Sequence, residues 1–164
     1  MVHSVDLVAL LYFYKIIIFL FNKSKGKLYK GMQLEELKQT DYYKAKYDSF
    51  RDVNTGYFWY GFNHFDWEGY QVRISICFFG DRLESMYIYT SDDRDAKTWD
   101  DWSEKKEMEV FERNNSFMRK LSEEKGKKKN SPYPQWSIAF EWGTLWSVYD
   151  PRSASSISGL SYKK

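Results

Sequence analysis

The sequence predicts a single α+β domain: a twisted antiparallel sheet, built as a four-strand meander plus a C-terminal hairpin, with helices packed on one face. Three observations lead there. Four runs between Lys44 and Thr90 alternate polar and apolar residues and are joined by loops too short for anything but antiparallel neighbours. A stretch of helical period follows, with Met108, Phe111, Met118 and Leu121 on one side. Two more strand-like runs then end the chain. The order helix, four strands, helix, two strands sets helices against one face of one sheet.

The chain divides into an apolar N-terminal segment, residues 1–27, and a domain over 28–164. Leu7–Phe21 reads LVALLYFYKIIIFLF, shorter than the ~20 apolar residues of a spanning helix and interrupted by Lys15. His3 and Asp6 precede it and Asn22-Lys23-Ser24-Lys25 follows, so it lacks the basic start and the cleavage site of a signal peptide. Three readings stay open: a membrane role, a buried strand or helix, and a non-native stretch upstream of a start near Met32. The length rule weighs against the membrane, and a cytoplasmic location is expected.

Gly31–Lys38 reads as a short helix with Leu34 and Leu37 on one face and glutamates in its first turn. The strand-like runs are Lys44–Phe50, Tyr57–Asp66, Tyr70–Phe79 and Arg82–Thr90, divided by Asp52–Gly56, Trp67-Glu68-Gly69 and Gly80-Asp81. Val72, Ile74, Ile76 and Phe78 alternate with Gln71, Arg73, Ser75 and Cys77. A two-residue turn at Gly80-Asp81 would place Leu83, Ser85, Tyr87 and Tyr89 on the Val72 face. The covering helix starts at Asp101-Trp102-Ser103-Glu104, a capping box with Asp101 as N-cap and Ser103 as the alternative. Its end is expected in the loop Lys125–Asn130, with Gly126 as C-cap. Trp136–Tyr149 reads as one strand bent or bulged at Gly143, and Ser155–Tyr162 closes a hairpin with it across the Asp150–Ser153 turn.

Composition narrows the function. With 43% hydrophobic and 20% aromatic residues in 164, the chain is not a disordered one. One cysteine excludes a disulfide framework, and one cysteine with two histidines excludes the ordinary Cys/His zinc sites. Lys and Arg number 25 against 23 Asp and Glu, a balance too even for a surface built around nucleic acid. Lys125–Lys129 reads as a solvated, basic helix end.

No candidate chemistry survives its spacing. Cys77 and His64 are the one conceivable nucleophile–base pair. A three-residue loop between their strands sends them to opposite faces. A two-residue loop leaves them four residues apart, about 13 Å at ~3.3 Å per residue. From Asp93, acidic residues fall at calcium-loop positions one, three, nine and twelve, but Lys97 occupies position five and Thr98 the glycine position. Asp66 and Glu68 flank a turn. No catalytic residue, metal or cofactor is expected.

The aromatic load remains, with seven tryptophans. Most belong to the core. Trp99 and Trp102, interleaved with Asp100 and Asp101 at the loop-to-helix corner, form a recognition surface with Asp92, Asp93 and Asp95, suited to a basic partner. Stacked rings in a cleft would equally serve a glycan or other small ligand.

Three phrases carry a resemblance: Gly31-Met32-Gln33-Leu34-Glu35-Glu36, Trp99-Asp100-Asp101-Trp102-Ser103-Glu104, and Trp142-Gly143 running to Trp146-Ser147-Val148-Tyr149-Asp150-Pro151-Arg152-Ser153. Together they resemble a group of small bacterial α+β proteins of uncharacterised activity. The likeness covers most of the chain after about Lys27. It implies a bacterial source and a helix-and-sheet fold. By analogy of size and shape it implies an immunity protein, one that neutralises a partner toxin domain by direct binding. The expected function is thus a non-enzymatic protein-binding domain, a monomer or homodimer, with glycan or small-ligand binding as the alternative.

Overall fold

The computed structural model describes residues 28–163; Leu7–Phe21, and the three readings of it, lie outside the described residues. Three helices, α1 (Leu34–Lys38), α2 (Asp41–Lys46) and α3 (Glu104–Ser122), accompany β1 (Tyr47–Asp52), β2 (Tyr57–Phe62), β3 (Phe65–Trp67), β4 (Tyr70–Phe79), β5 (Arg82–Ser91), β6 (Lys127–Lys129), β7 (Gln135–Phe140), β8 (Gly143–Asp150) and β9 (Ser155–Tyr162) among the described residues. All the strands form one antiparallel sheet in the order β1-β2-β4-β5-β9-β8-β7-β6, with β3 also paired to β4. The α+β class and antiparallel sheet stand. The sheet is larger than a four-strand meander with a hairpin and does not close, so β1 and β6 are its edges.

Local chemistry explains where the runs begin and end. Thr40 accepts a hydrogen bond from the Tyr43 amide at 3.1 Å and caps α2, so the segment from Asp41 to Lys46 is helical and the first strand starts at Tyr47 rather than Lys44. Tyr42 and Tyr43 then pack on Phe62, with ring centroids 5.0 and 5.8 Å away. The run Tyr57–Asp66 is two strands. Gly61 pairs with Ser75 and Phe65 with Val72, so Phe62, Asn63 and His64 oppose only Arg73 and Ile74. The following turn is the two-residue Glu68-Gly69, both at positive φ (47° and 85°), as a hairpin of that length demands.

A bulge between β4 and β5 corrects the face assignment. Phe78 opposes Leu83 while Cys77 opposes Ser85, leaving Glu84 as the extra residue. Leu83 keeps to the Val72 face as expected. Beyond Glu84 the parity reverses: Met86, Ile88 and Thr90 join Val72, Ile74 and Ile76, whereas Ser85, Tyr87 and Tyr89 turn to the opposite face.

Trp136–Tyr149 is likewise a hairpin rather than one bent strand, with Phe140 opposite Gly143 across Glu141-Trp142. Gly143 opens β8, and no larger residue fits there because a Cβ would run into the Ser161 carbonyl oxygen of β9. Ser103, not Asp101, caps α3 by accepting from the Lys106 amide at 3.3 Å. The helix ends at Ser122 with Glu123 in the left-handed conformation (φ 58°), earlier than Gly126. Gly126 (φ 64°) instead makes room for the Trp136 indole, and Lys127–Lys129 forms an edge strand rather than a loop. Lysines on an edge discourage pairing with another chain.

The core lies between the helices and one sheet face. Phe111, Phe117, Met118 and Leu121 of α3 are buried with Ile88, Leu145, Leu160 and Trp136 beneath them. Each such side chain contributes about 1.5–3 kcal/mol. Arg113 and Asn114 fasten the helix to Thr90, whose hydroxyl donates to Asn114 Oδ1 at 2.6 Å. On the opposite face Trp59, Arg73, Ser75, Tyr87, Tyr89 and Trp146 stay partly exposed, and none of the described helices covers them.

Candidate functional site

The predicted recognition segment is the loop from β5 to α3. Its acids divide into two groups. Asp92 accepts from the Arg94 amide at 3.0 Å and from Arg94 Nε and Nη2 at 2.9 and 3.0 Å. Asp95 accepts from the Asp92 amide at 2.9 Å and from Arg113 Nη2 at 2.6 Å. Asp101 pairs with Lys106 and accepts from the Lys97 amide. These three carboxylates shape the loop. The Arg94 guanidinium holds the Asp92 carboxyl far below the usual carboxylate range, and Lys106 lowers that of Asp101. Asp93 and Asp100 are exposed and stand outside every ion pair among the described residues.

The two tryptophans also differ. Trp102 is half-buried and donates its indole N–H to the Ala154 carbonyl in the β8–β9 turn at 3.0 Å. Trp99 is 76% exposed, with its ring 6.3 Å from that of Trp102. The structure therefore gathers all seven predicted residues on one loop but gives them unlike parts. Asp92, Asp95, Asp101 and Trp102 build the corner; Trp99, Asp93 and Asp100 are presented by it.

The remaining chemical candidates sit apart. Cys77 is buried opposite Trp59 and Ser85, and burial pushes its thiol up, away from the nucleophilic thiolate. His64 is exposed in the break between β2 and β3, where its carbonyl accepts from Lys46 Nζ. Asp66 accepts from Gln71 at 2.5 Å, and Glu68 pairs with Lys120 of α3 at 2.8 Å. Lys128 pairs with Glu112. Among the described residues no three His, Cys, Asp or Glu side chains gather at metal-binding distance, and no helix is long and apolar enough to cross a membrane.

A second surface escaped the sequence reading. On the face without helices, Ser49, Gly61, Ser75 and Tyr87 are successive cross-strand partners from β1 to β5. The first three are small and form the floor of a half-open cavity of about 200 Å³. Arg51 and Trp59 rise on one flank and Tyr89 on the other, with Tyr87 as the end wall. Trp59 and Tyr87 rings lie 4.5 Å apart, and Trp146 closes edge-on against Tyr87 at 5.6 Å, over the bare backbone of Gly159. Burial pushes Tyr89 up to about 12 and raises Tyr87 as well, with Arg51 pulling both back. The usable signal was the small residues Ser49, Gly61 and Ser75 at one parity, but the Glu84 bulge hid the tyrosines that wall them. Comparison with protein-family models, curated proteins and solved structures finds no match to this chain.

Proposed function

We propose that the chain is a non-enzymatic, cytoplasmic protein-binding domain that engages its partner through the corner centred on Trp99. The observation carrying this reading is the 76% exposure of that indole on a loop tied down on both sides of it. Tryptophan is the residue type most enriched where binding energy concentrates, and a loop already held in place loses little freedom on association. Asp93 and Asp100 add negative charge around the anchor and favour a basic partner surface. The partner class, a toxin domain occluded by an immunity protein, rests on analogy of size and shape with small bacterial immunity proteins. The separation of Cys77 from His64 supports the non-enzymatic part.

The test is capture of partners from the source cells by the tagged chain, repeated with Trp99→Ala. One stoichiometric protein, lost by about tenfold or more in affinity with the variant, supports the reading. Equal capture by a variant with unchanged circular dichroism removes the corner from the proposal. Because Trp99 contributes little to the core, its removal is expected to alter stability by under about 0.5 kcal/mol.

A further inference from the structure

The cavity on the helix-free face has a chemistry of its own, separate from the Trp99 corner. Its floor is polar: Ser49 and Ser75 bring hydroxyls on either side of Gly61, where any side chain would collide with Ser49 Oγ. Its walls are aromatic, from Trp59, Tyr87 and Tyr89. The two nearby arginines differ. Arg73 is paired with Asp48 at 3.0 Å, while Arg51, at the rim, is paired with no carboxylate among the described residues.

These features select a ligand class. A volume of about 200 Å³ is below the roughly 300–1,000 Å³ of drug-sized pockets, so the occupant has a single ring. A bare aromatic ring would cover the serine hydroxyls without replacing their water hydrogen bonds, which disfavours it. A hydroxylated ring satisfies them while its C–H face lies on an aromatic wall. The guanidinium of Arg51 offers a planar fork for a carboxylate or phosphate.

We propose that this cavity binds an acidic monosaccharide unit, with its ring held between the Trp59 and Tyr89 walls, its hydroxyls on Ser49 and Ser75, and its anionic group on Arg51. Saturation-transfer NMR and tryptophan fluorescence on the purified chain test it, with glucuronate, glucose 6-phosphate, glucose and benzoate as probes. Binding of glucuronate or glucose 6-phosphate, about tenfold tighter than glucose or benzoate, is expected. Which of the two acids is preferred separates carboxylate from phosphate recognition. Arg51→Gln is expected to erase the advantage over glucose, and Ser75→Val, a good strand former that fills the floor, to weaken both acids by about tenfold. Trp99→Ala leaves binding unchanged. Silence from all four probes into the millimolar range, equal affinity for glucose or benzoate, or acid-sugar binding indifferent to Arg51→Gln overturns the proposal.

Discussion

Arg113 Nη2 lies 2.6 Å from Asp95 Oδ2, both side chains about four-fifths shielded from solvent (17% and 20% exposed), and this pair joins the middle of α3 to the loop that carries Trp99. The same guanidinium donates to the Thr90 hydroxyl at 3.1 Å and to the Thr90 carbonyl at 3.2 Å. One side chain thus holds together the end of β5, the β5–α3 loop and the helix. Arg113→Ala is expected to lower the denaturant midpoint by the equivalent of about 1.5–3 kcal/mol, the range for hydrogen bonds to charged groups. Arg113→Lys keeps the charge but lacks the planar fork and is expected to recover less than half of the loss. Full recovery by lysine would mean that charge alone, and not the Thr90 geometry, secures the loop.

The start of α3 discriminates between two caps. Ser103 accepts from the Lys106 amide, so Ser103→Ala is expected to cost about 1 kcal/mol. Asp101 holds an exposed ion pair with Lys106, and Asp101→Ala is expected to cost less than Ser103→Ala. Urea unfolding of the two variants side by side measures the difference. The opposite ranking would return the cap to Asp101.

Asn115 is fully buried on α3, and among the described residues neither its amide nitrogen nor its carbonyl oxygen has a hydrogen-bond partner. Burying an amide in this way costs about 1–3 kcal/mol. Asn115→Leu, which keeps the same branched heavy-atom skeleton without the polar atoms, is therefore expected to raise the thermal midpoint. A fall would show that the amide serves the fold.

Burial raises the phenols of Tyr42, Tyr89 and Tyr162, Tyr89 to about 12. Their folded values lie above the ordinary ~10, so the folded state holds these protons more tightly. Their contribution to stability is complete below pH ~10 and declines as the pH rises toward about 12. Absorbance at alkaline pH is expected to show this set ionising only as the chain unfolds; ionisation of all three before the circular dichroism changes would contradict it. The acid side runs the other way. Asp92, Asp101 and Asp150 are lowered by Arg94, Lys106 and Arg152, so their contribution is present above ~4 and lost as the pH falls.

Much of the fold was legible along the chain because alternation, turns and caps act over a few residues. Tyr70–Phe79 and Ser155–Tyr162 are strands over the expected residues, and Leu37, Phe111, Met118 and Leu121 are buried as their spacing implied. The segment from Asp92 to Trp102 was legible too, as a loop leading into a helix. Which of its aspartates face outward was not, since Asp95 meets Arg113 across 18 residues and Trp102 meets Ala154 across 52.

The division has a physical cause. Periodicity and turn chemistry are properties of neighbouring residues, and they suffice for an antiparallel α+β domain. Register, edges and faces depend on pairing between strands. One unpaired residue, Glu84, moved Tyr87 and Tyr89 from the core to the helix-free face, and with them created the cavity. Pairing of Phe140 with Gly143 across Glu141-Trp142 made Gly143 the start of a strand instead of a bend within one. Pairing of β5 with β9 merged the meander and the C-terminal strands into a single sheet, an outcome that no window of local sequence contains.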